Sequence, residues 1–391
     1  MSDVVIVGAK RTAIGSFLGQ FTGVPTPELG ATAIRGALEH AGVSPDAVQE
    51  VLMGCVLPAG LGQAPARQAA IGAGVPTSAT CTTVNKVCGS GMKAIMLGVD
   101  MIRAGSVEVV VAGGMESMTN APHLLNNSRT GIRYGSAEFL DHMAHDGLTN
   151  PYDGKAMGVF GDATCSTYDY SRERLDAYAA ESVRRAQAAV QSGAFKAEIV
   201  PVTVKGRKGE VVVDTDEEPG KIDASKIPSL RAAFGKDGLL TAATSSKISD
   251  GAAATVLMSA DTAKRLGATP IARIVAHASH AQAPEHFTTA PIDAIRKVLE
   301  KAGWSVGDVD LYEINEAFAC VAMAPMTDLG VPHDKLNVNG GAVALGHPIG
   351  ASGSRLVVTL LHAMQARNMR RGIAALCIGG GEATAIAVEL A

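Results

Sequence analysis

The 391-residue sequence has no surplus of either charge, no C-x-x-C pair and no long uninterrupted apolar run. Each absence removes a class of function. A formal net charge of −4 gives no global field toward nucleic acid or an anionic membrane surface, so a phosphate-bearing ligand must meet a local basic patch. No window approaches about 18 consecutive apolar residues, because Gly, Asp, Glu or Arg breaks each one, and a spanning helix is excluded. The run from Met1 to Gly8 enters an apolar, strand-like segment with no basic stretch and no cleavage site, so a cytoplasmic setting is expected rather than export. In that reducing setting Cys55, Cys81, Cys88, Cys165, Cys320 and Cys377 remain thiols, each a small core residue or a reactive group. No metal site is expected.

The chain does contain ample apolar material: 47% of residues are hydrophobic and 18% charged, enough for more than one core-bearing unit. A repeat is visible when residues 34–48 (IRGALEHAGVSPDAV) are laid on residues 295–309 (IRKVLEKAGWSVGDV). A second echo pairs residues 109–116 (VVVAGGME) with 375–382 (ALCIGGGE) in the same order. Duplication of one unit is the economical reading. Apolar runs at 4–7, 107–112, 311–314 and 373–378 alternate with amphipathic stretches, which predicts an α/β class with two similar mixed sheets packed together. Residues 119 to about 245 read as an inserted lobe. Within it a helix is expected from Ser171, as N-cap, to Gly193, and Asp214 to Gly220 is expected to form a turn on a solvated surface.

Four places could carry chemistry. Cys88 lies in Asn85-Lys86-Val87-Cys88-Gly89-Ser90-Gly91, between a β-like run (Thr80 to Val84) and a helix whose apolar face is Met92, Ile95, Met96, Val99 and Ile102. A cysteine at such an elbow meets the positive end of a helix, so a thiolate is expected there. His347 sits in a glycine-rich run between Gly346 and Pro348, held in one orientation with open space around it. Cys377 ends a strand and precedes Gly379-Gly380-Gly381, whose N–H groups could bind an oxyanion. Asn315 opens Asn315-Glu316-Ala317-Phe318, either as a helix N-cap or as an amide that holds a carbonyl or a water.

Together these motifs resemble the thiolase family, in the family's order and over nearly the whole chain, and within it the short-chain acetyl-CoA acetyltransferases. The resemblance implies an αβαβα layered fold of duplicated halves, with 1–118 and 246–270 as the N-terminal half, 119–245 as an inserted lobe for coenzyme A and oligomer contacts, and 271–391 as the C-terminal half. It implies that Cys88 is the acylated nucleophile, that His347 takes its proton, that Cys377 moves the α-proton, and that Asn315 holds a water in an oxyanion hole. The N–H groups of Cys88 and Gly379 would stabilise tetrahedral intermediates. The substrates would be acetyl-CoA, acetoacetyl-CoA and CoA, with no tightly bound cofactor, no nucleic acid or membrane partner, and a homodimer or homotetramer as the assembly. Coenzyme A contacts would fall on Met157, Phe234, Ala242, Ser246, Ile248 and Phe318, with Lys221 and Lys247 as phosphate candidates. Two positions depart from the family's pattern: Ala156-Met157-Gly158 replaces His-Met-Gly, and Thr244-Ser245-Ser246-Lys247 replaces Asn-Ala-Ser-Gly. Phe287 stands where short-chain members commonly carry Met, and an aromatic there is expected to narrow the acyl pocket toward acetyl and acetoacetyl groups. The alternatives are a 3-ketoacyl-CoA thiolase of broader chain length in fatty-acid metabolism and a decarboxylating ketoacyl synthase; the second thiol, Cys377, argues against the synthase.

Overall fold

The structure, a computed structural model, describes residues 3–206 and 209–391. Its strands form two mixed arrays. In the first the order is Val4–Arg11, Ser249–Ser259, Val109–Ser117, Glu50–Gly54, Thr80–Val84, and in the second it is Ala272–Ala281, Glu382–Leu390, Arg371–Ile378, Leu311–Ile314. A two-residue pairing, Val5 with Arg273 and Ile6 with Ala272, joins the arrays at one edge. Glu50–Gly54 runs parallel to both its neighbours, as Leu311–Ile314 does to Arg371–Ile378, and the remaining ladders are antiparallel.

Helices fill three layers around these arrays. Thr26–Ala41 and Pro65–Gly72 cover the outside of the first, and Ala290–Ala302 and Ala319–Leu329 cover the outside of the second. Between the arrays lie the elbow helix Ser90–Arg103 and the long helix Ile349–Arg367, packed on one core that includes Ile6, Leu52, Ile95, Leu257, Leu356 and Ile386. The long helix is buried from Ile349 through Met364. A helix enclosed on all sides needs an apolar or small residue at nearly every position, and Gly350, Ala351, Gly353, Leu356 to Val358, Leu360 and Leu361 supply this. The five-layer α/β arrangement expected from the sequence is thus present.

The first repeat is structural. Thr26–Ala41 ends at Gly42 (φ 62°), passes a 3-10 turn at Pro45–Ala47 and enters Glu50–Gly54. Ala290–Ala302 ends at Gly303 (φ 67°), passes a 3-10 turn at Val306–Asp308 and enters Leu311–Ile314. Only glycine takes this left-handed cap without steric cost, which is why both copies place it there. The second echo holds for the strand but not for the register: the ladders match Val110 with Gly372, opposite Glu50 and Leu311, whereas the sequence echo matches Val110 with Leu376. The duplication also pairs the two inner helices, and each begins two residues after a candidate, Cys88 or His347.

The lobe contains the helix Arg172–Ser192, with Ser171 accepting a hydrogen bond from the Arg174 N–H (3.3 Å) and Gly193 at φ 75°. One expectation fails in it. Asp216 is not on a solvated turn but 3% exposed, bidentate to the buried Arg11 guanidinium at 2.7 and 2.8 Å, which also binds Glu198 at 2.5 Å. A local turn signal cannot reveal a partner some 200 residues away. No helix among the described residues is long and apolar enough to cross a membrane.

Candidate active site

The elbow at Cys88 is built by its neighbours. Val87 adopts φ 45°, a left-handed conformation that costs a β-branched residue roughly 1–3 kcal/mol. Three contacts hold it. Asn85 Oδ1 accepts from the Val87 N–H at 3.0 Å, Ser90 Oγ donates to the Val87 carbonyl at 2.6 Å, and the same oxygen accepts from the Lys86 N–H at 2.8 Å. The strain turns the Cys88 sulfur toward the second half of the chain. Gly89 then admits the other motif: a Cβ there would stand 2.3 Å from Ile378 Cδ1, so the elbow and the Cys377 turn touch directly.

Cys88 is half-buried, and its sulfur faces the backbone N–H groups of Gly379 and of Cys88 itself. Burial pushes its pKa up to about 11, and the Glu116 carboxylate adds to the rise, while the two N–H groups oppose it. The thiolate expected from the helix terminus is therefore overturned: desolvation of an anion outweighs a partial dipole charge. Cys377 is fully buried, and its pKa lies well above the ordinary thiol value because of burial and because of the adjacent Cys88 sulfur. Both groups are thiols at rest.

His347 is 5% exposed. Its N–H donates to the Lys247 carbonyl at 3.0 Å, which pins the loop. Ser352 Oγ lies 2.8 Å from the Pro348 carbonyl and 2.5 Å from His347 Nδ1. The single hydroxyl proton goes to the carbonyl, so Oγ accepts Nδ1–H, and Nε2 is left with a lone pair that accepts from Asn315 Nδ2 at 3.3 Å. Burial, and then the positive charge of Arg355, lower the imidazole pKa to about 3. The imidazole is a neutral base across the physiological range. A pH profile of kcat/KM is accordingly expected to show no loss from imidazole protonation between about pH 7.5 and 5.5; an inflection near the ordinary histidine value would contradict this. The depressed pKa also gives a stability contribution that is complete above the ordinary 6.5 and is lost as pH falls toward 3.

Asn315 is not an N-cap, because the following helix begins at Ala319 with Phe318 as its cap. Its Oδ1 is buried with no partner among the described residues. Such an orphan costs free energy unless a ligand or water satisfies it, which suits a residue that holds a small polar group. Glu316 beside it is structural, accepting from Tyr178 Oη, Ser182 Oγ and Asn337 Nδ2 at 2.8 to 2.9 Å.

The candidate coenzyme A residues divide between two clefts. Met157, with Val87, Gly379, Gly380, Asn150 and Tyr152, lines one of about 600 Å³. Lys221, Ala242 and Lys247, with Ile227, Leu230 and Val343, line one of about 230 Å³. Phe234 covers Gly158 and meets Phe318 edge to face at 5.7 Å. Ser246 donates its N–H to the Ala317 carbonyl at 3.0 Å, and Ile248 packs against the same apolar cluster as Cys88. Lys221 Nζ is engaged by Glu217 at 2.6 Å and Ser16 at 3.0 Å, and Lys247 Nζ by the carbonyls of Ala242 and Ser245. Phe287 is buried against Phe160 and lines neither cleft. Sequence reasoning missed Ser352, Glu116 and Arg355. Ser352 lay in plain view, five residues after His347; the other two carry no local signal.

Comparison with known proteins gives the family and the fold. Residues 4–261 match the model for the thiolase N-terminal domain and residues 268–390 that for the thiolase C-terminal domain. The chain is 51% identical over 389 residues to an acetyl-CoA acetyltransferase of Chromobacterium violaceum, covering 99% of each. It is 50% identical over 393 residues to one of Cupriavidus necator, covering 100% of each. The crystal structure of the Bacillus anthracis acetyl-CoA acetyltransferase superposes with a TM-score of 0.97 at 41% identity over 100% of this chain and 99% of that one. A thiolase of Ascaris suum, solved in complex with coenzyme A, gives 0.94 at 41% identity over the full length of both.

Proposed function

The chain belongs to the thiolase family, and from that premise we propose that it is an acetyl-CoA C-acetyltransferase, joining two acetyl-CoA into acetoacetyl-CoA and CoA in a reversible Claisen reaction through an acetyl-Cys88 intermediate. The observation that carries this is the meeting of two thiols, Cys88 and Cys377, at an elbow where the Gly379 N–H faces the Cys88 sulfur, with the neutral imidazole of His347 on Asn315 just before the long helix that packs on the elbow helix. In the first half-reaction His347 Nε2 takes the Cys88 proton as the sulfur attacks the thioester carbonyl. The N–H groups of Cys88 and Gly379 hold the oxyanion, and CoA leaves with the proton. In the second, the Cys377 proton first passes to His347 Nε2; the Cys377 thiolate then removes an α-proton from a second acetyl-CoA, with the enolate oxygen held by the Nε2–H of His347 and by a water on Asn315. The carbanion then attacks acetyl-Cys88, and the departing Cys88 sulfur takes the proton from His347 Nε2, which restores the resting state. The steps balance without a redox or metal cofactor, and coenzyme A thioesters are substrates rather than resident groups.

The inserted lobe 119–245 receives coenzyme A, with Met157, Phe234, Ala242, Ser246, Ile248 and Phe318 along its path and Lys221 and Lys247 toward its phosphates. The setting is cytoplasmic, and the assembly is a homodimer or homotetramer. The free edge of Thr80–Val84 and the exposed Ile132, Tyr134 and Phe139 support an assembly, since a monomer gains nothing from displaying them. Incubation with acetyl-CoA is expected to leave an acetyl group on Cys88, read by mass spectrometry, and thiolysis is expected to favour acetoacetyl-CoA over a C16 3-ketoacyl-CoA. An unmodified Cys88 would sink the mechanism, and efficient C16 cleavage would sink the chain-length assignment.

A further inference from the structure

Glu116 is a fully buried carboxylate that the steps above do not use. It lies in the strand Val109–Ser117, and its oxygens accept from three backbone N–H groups: Val56 at 2.9 Å, Leu57 at 3.2 Å and Gly350 at 2.9 Å. The Cys55 thiol lies 3.6 Å from it. The first two donors belong to the loop whose side chains pack with Cys88 and Ile349. The third is in the first turn of the long helix, three residues after His347. One side chain therefore ties the wall behind the nucleophile to the helix that carries its base. No residue fills this place by accident of space: a Cβ on Gly350 would stand 2.6 Å from Glu116 Oε2.

We propose that Glu116 is a positioning residue that fixes the separation of Cys88 and His347 by holding the Val56–Leu57 loop to the helix turn at Gly350, and that its charge is felt at the Cys88 sulfur. This rests on the reading of Cys88 as nucleophile and His347 as its base. A negative charge near a thiol disfavours the thiolate, and here it adds to burial, the larger cause, in keeping the proton on sulfur until attack. The titratable groups facing Glu116 are the Cys55 and Cys88 thiols, and those facing Cys88 are Glu116 and Cys377. Burial pushes the Glu116 pKa up to about 7, against its three N–H donors and Cys55, so above neutral pH it is charged when Cys88 titrates.

Two variants separate charge from reach. Glu116→Gln keeps the length and removes the charge; Glu116→Asp keeps the charge and cannot span the three donors. With Cys88 alkylation by iodoacetamide followed by mass spectrometry at pH 8, the Gln variant is expected to react roughly three-fold faster than wild type and the Asp variant at the wild-type rate. Both are expected to lose kcat, by about a hundred-fold, with KM little changed. Wild-type alkylation and turnover in both variants would overturn the proposal. Should a variant fail to fold, wild-type protein carries the test. The log of its Cys88 alkylation rate is expected to rise with pH at a slope below one near neutrality, as Glu116 ionises, and an unbroken slope of one would overturn it. Acetylation of wild-type Cys88 by acetyl-CoA is the control: its absence would defeat the functional reading itself rather than this one.

Discussion

Cys377→Ser is expected to leave acetylation of Cys88 by acetyl-CoA intact while lowering condensation and thiolysis by roughly 10²–10⁴-fold. The two half-reactions use different protons. Acylation needs only the Cys88 thiol, the His347 lone pair and the N–H groups at the elbow, and none of these depends on the sulfur of Cys377. Carbon–carbon bond formation needs a base for an α-proton, and a serine hydroxyl is too weak an acid to supply the conjugate base near neutral pH. Intact-protein mass spectrometry for the adduct and steady-state assays in both directions test this. Condensation by the variant within a few-fold of wild type would show that another group moves the α-proton.

Gly114→Ala is expected to cost about 3 kcal/mol or more of stability and to lower turnover in whatever protein still folds. A Cβ on Gly114 would stand 2.1 Å from the Gly350 carbonyl oxygen and 2.9 Å from Ala351 Cα. These are backbone atoms of the long helix and cannot swing aside as a side chain could. The long helix sits as tightly on the elbow helix, with a Cβ on Gly353 2.5 Å from the Met92 nitrogen and one on Gly91 2.8 Å from Ser354 Oγ. The elbow helix and the long helix therefore meet almost backbone to backbone, which sets the distance between the two loops that precede them. Displacing either by an ångström separates Cys88 from His347. Gly220→Ala is the control: nothing lies within 4 Å of its Cβ position and its φ is not positive, so little change is expected. Denaturant unfolding of both variants measures the contrast, and equal stability would refute the packing argument.

The elements and the positions of the candidate groups were legible because they depend on local chemistry. The apolar face of Met92, Ile95, Met96, Val99 and Ile102 is buried as its spacing requires. Gly193 caps the helix that Ser171 starts, and Gly42 and Gly303 mark the same cap in two copies of one unit. Cys88, His347, Asn315 and Cys377 stood out because glycines and turns around a nucleophile or base are a feature of the chain itself.

What the sequence determined by itself, then, was the duplicated α/β plan and the elbow on which Cys88 sits. The tertiary structure alone decided the state of the groups placed there. A helix terminus pointed to a thiolate, yet enclosure in the middle layer makes Cys88 a thiol, because the free energy of removing an anion from water exceeds the gain from a partial charge. Asp216 read as a surface acid until Arg11, some 200 residues earlier in the chain, enclosed it. Glu116 was only the last residue of a sequence echo until Val56 and Gly350 brought their N–H groups to it. Propensity and pattern act over a few residues. Desolvation and long-range partners exist only once the chain has closed, and they set the protonation states on which the chemistry depends.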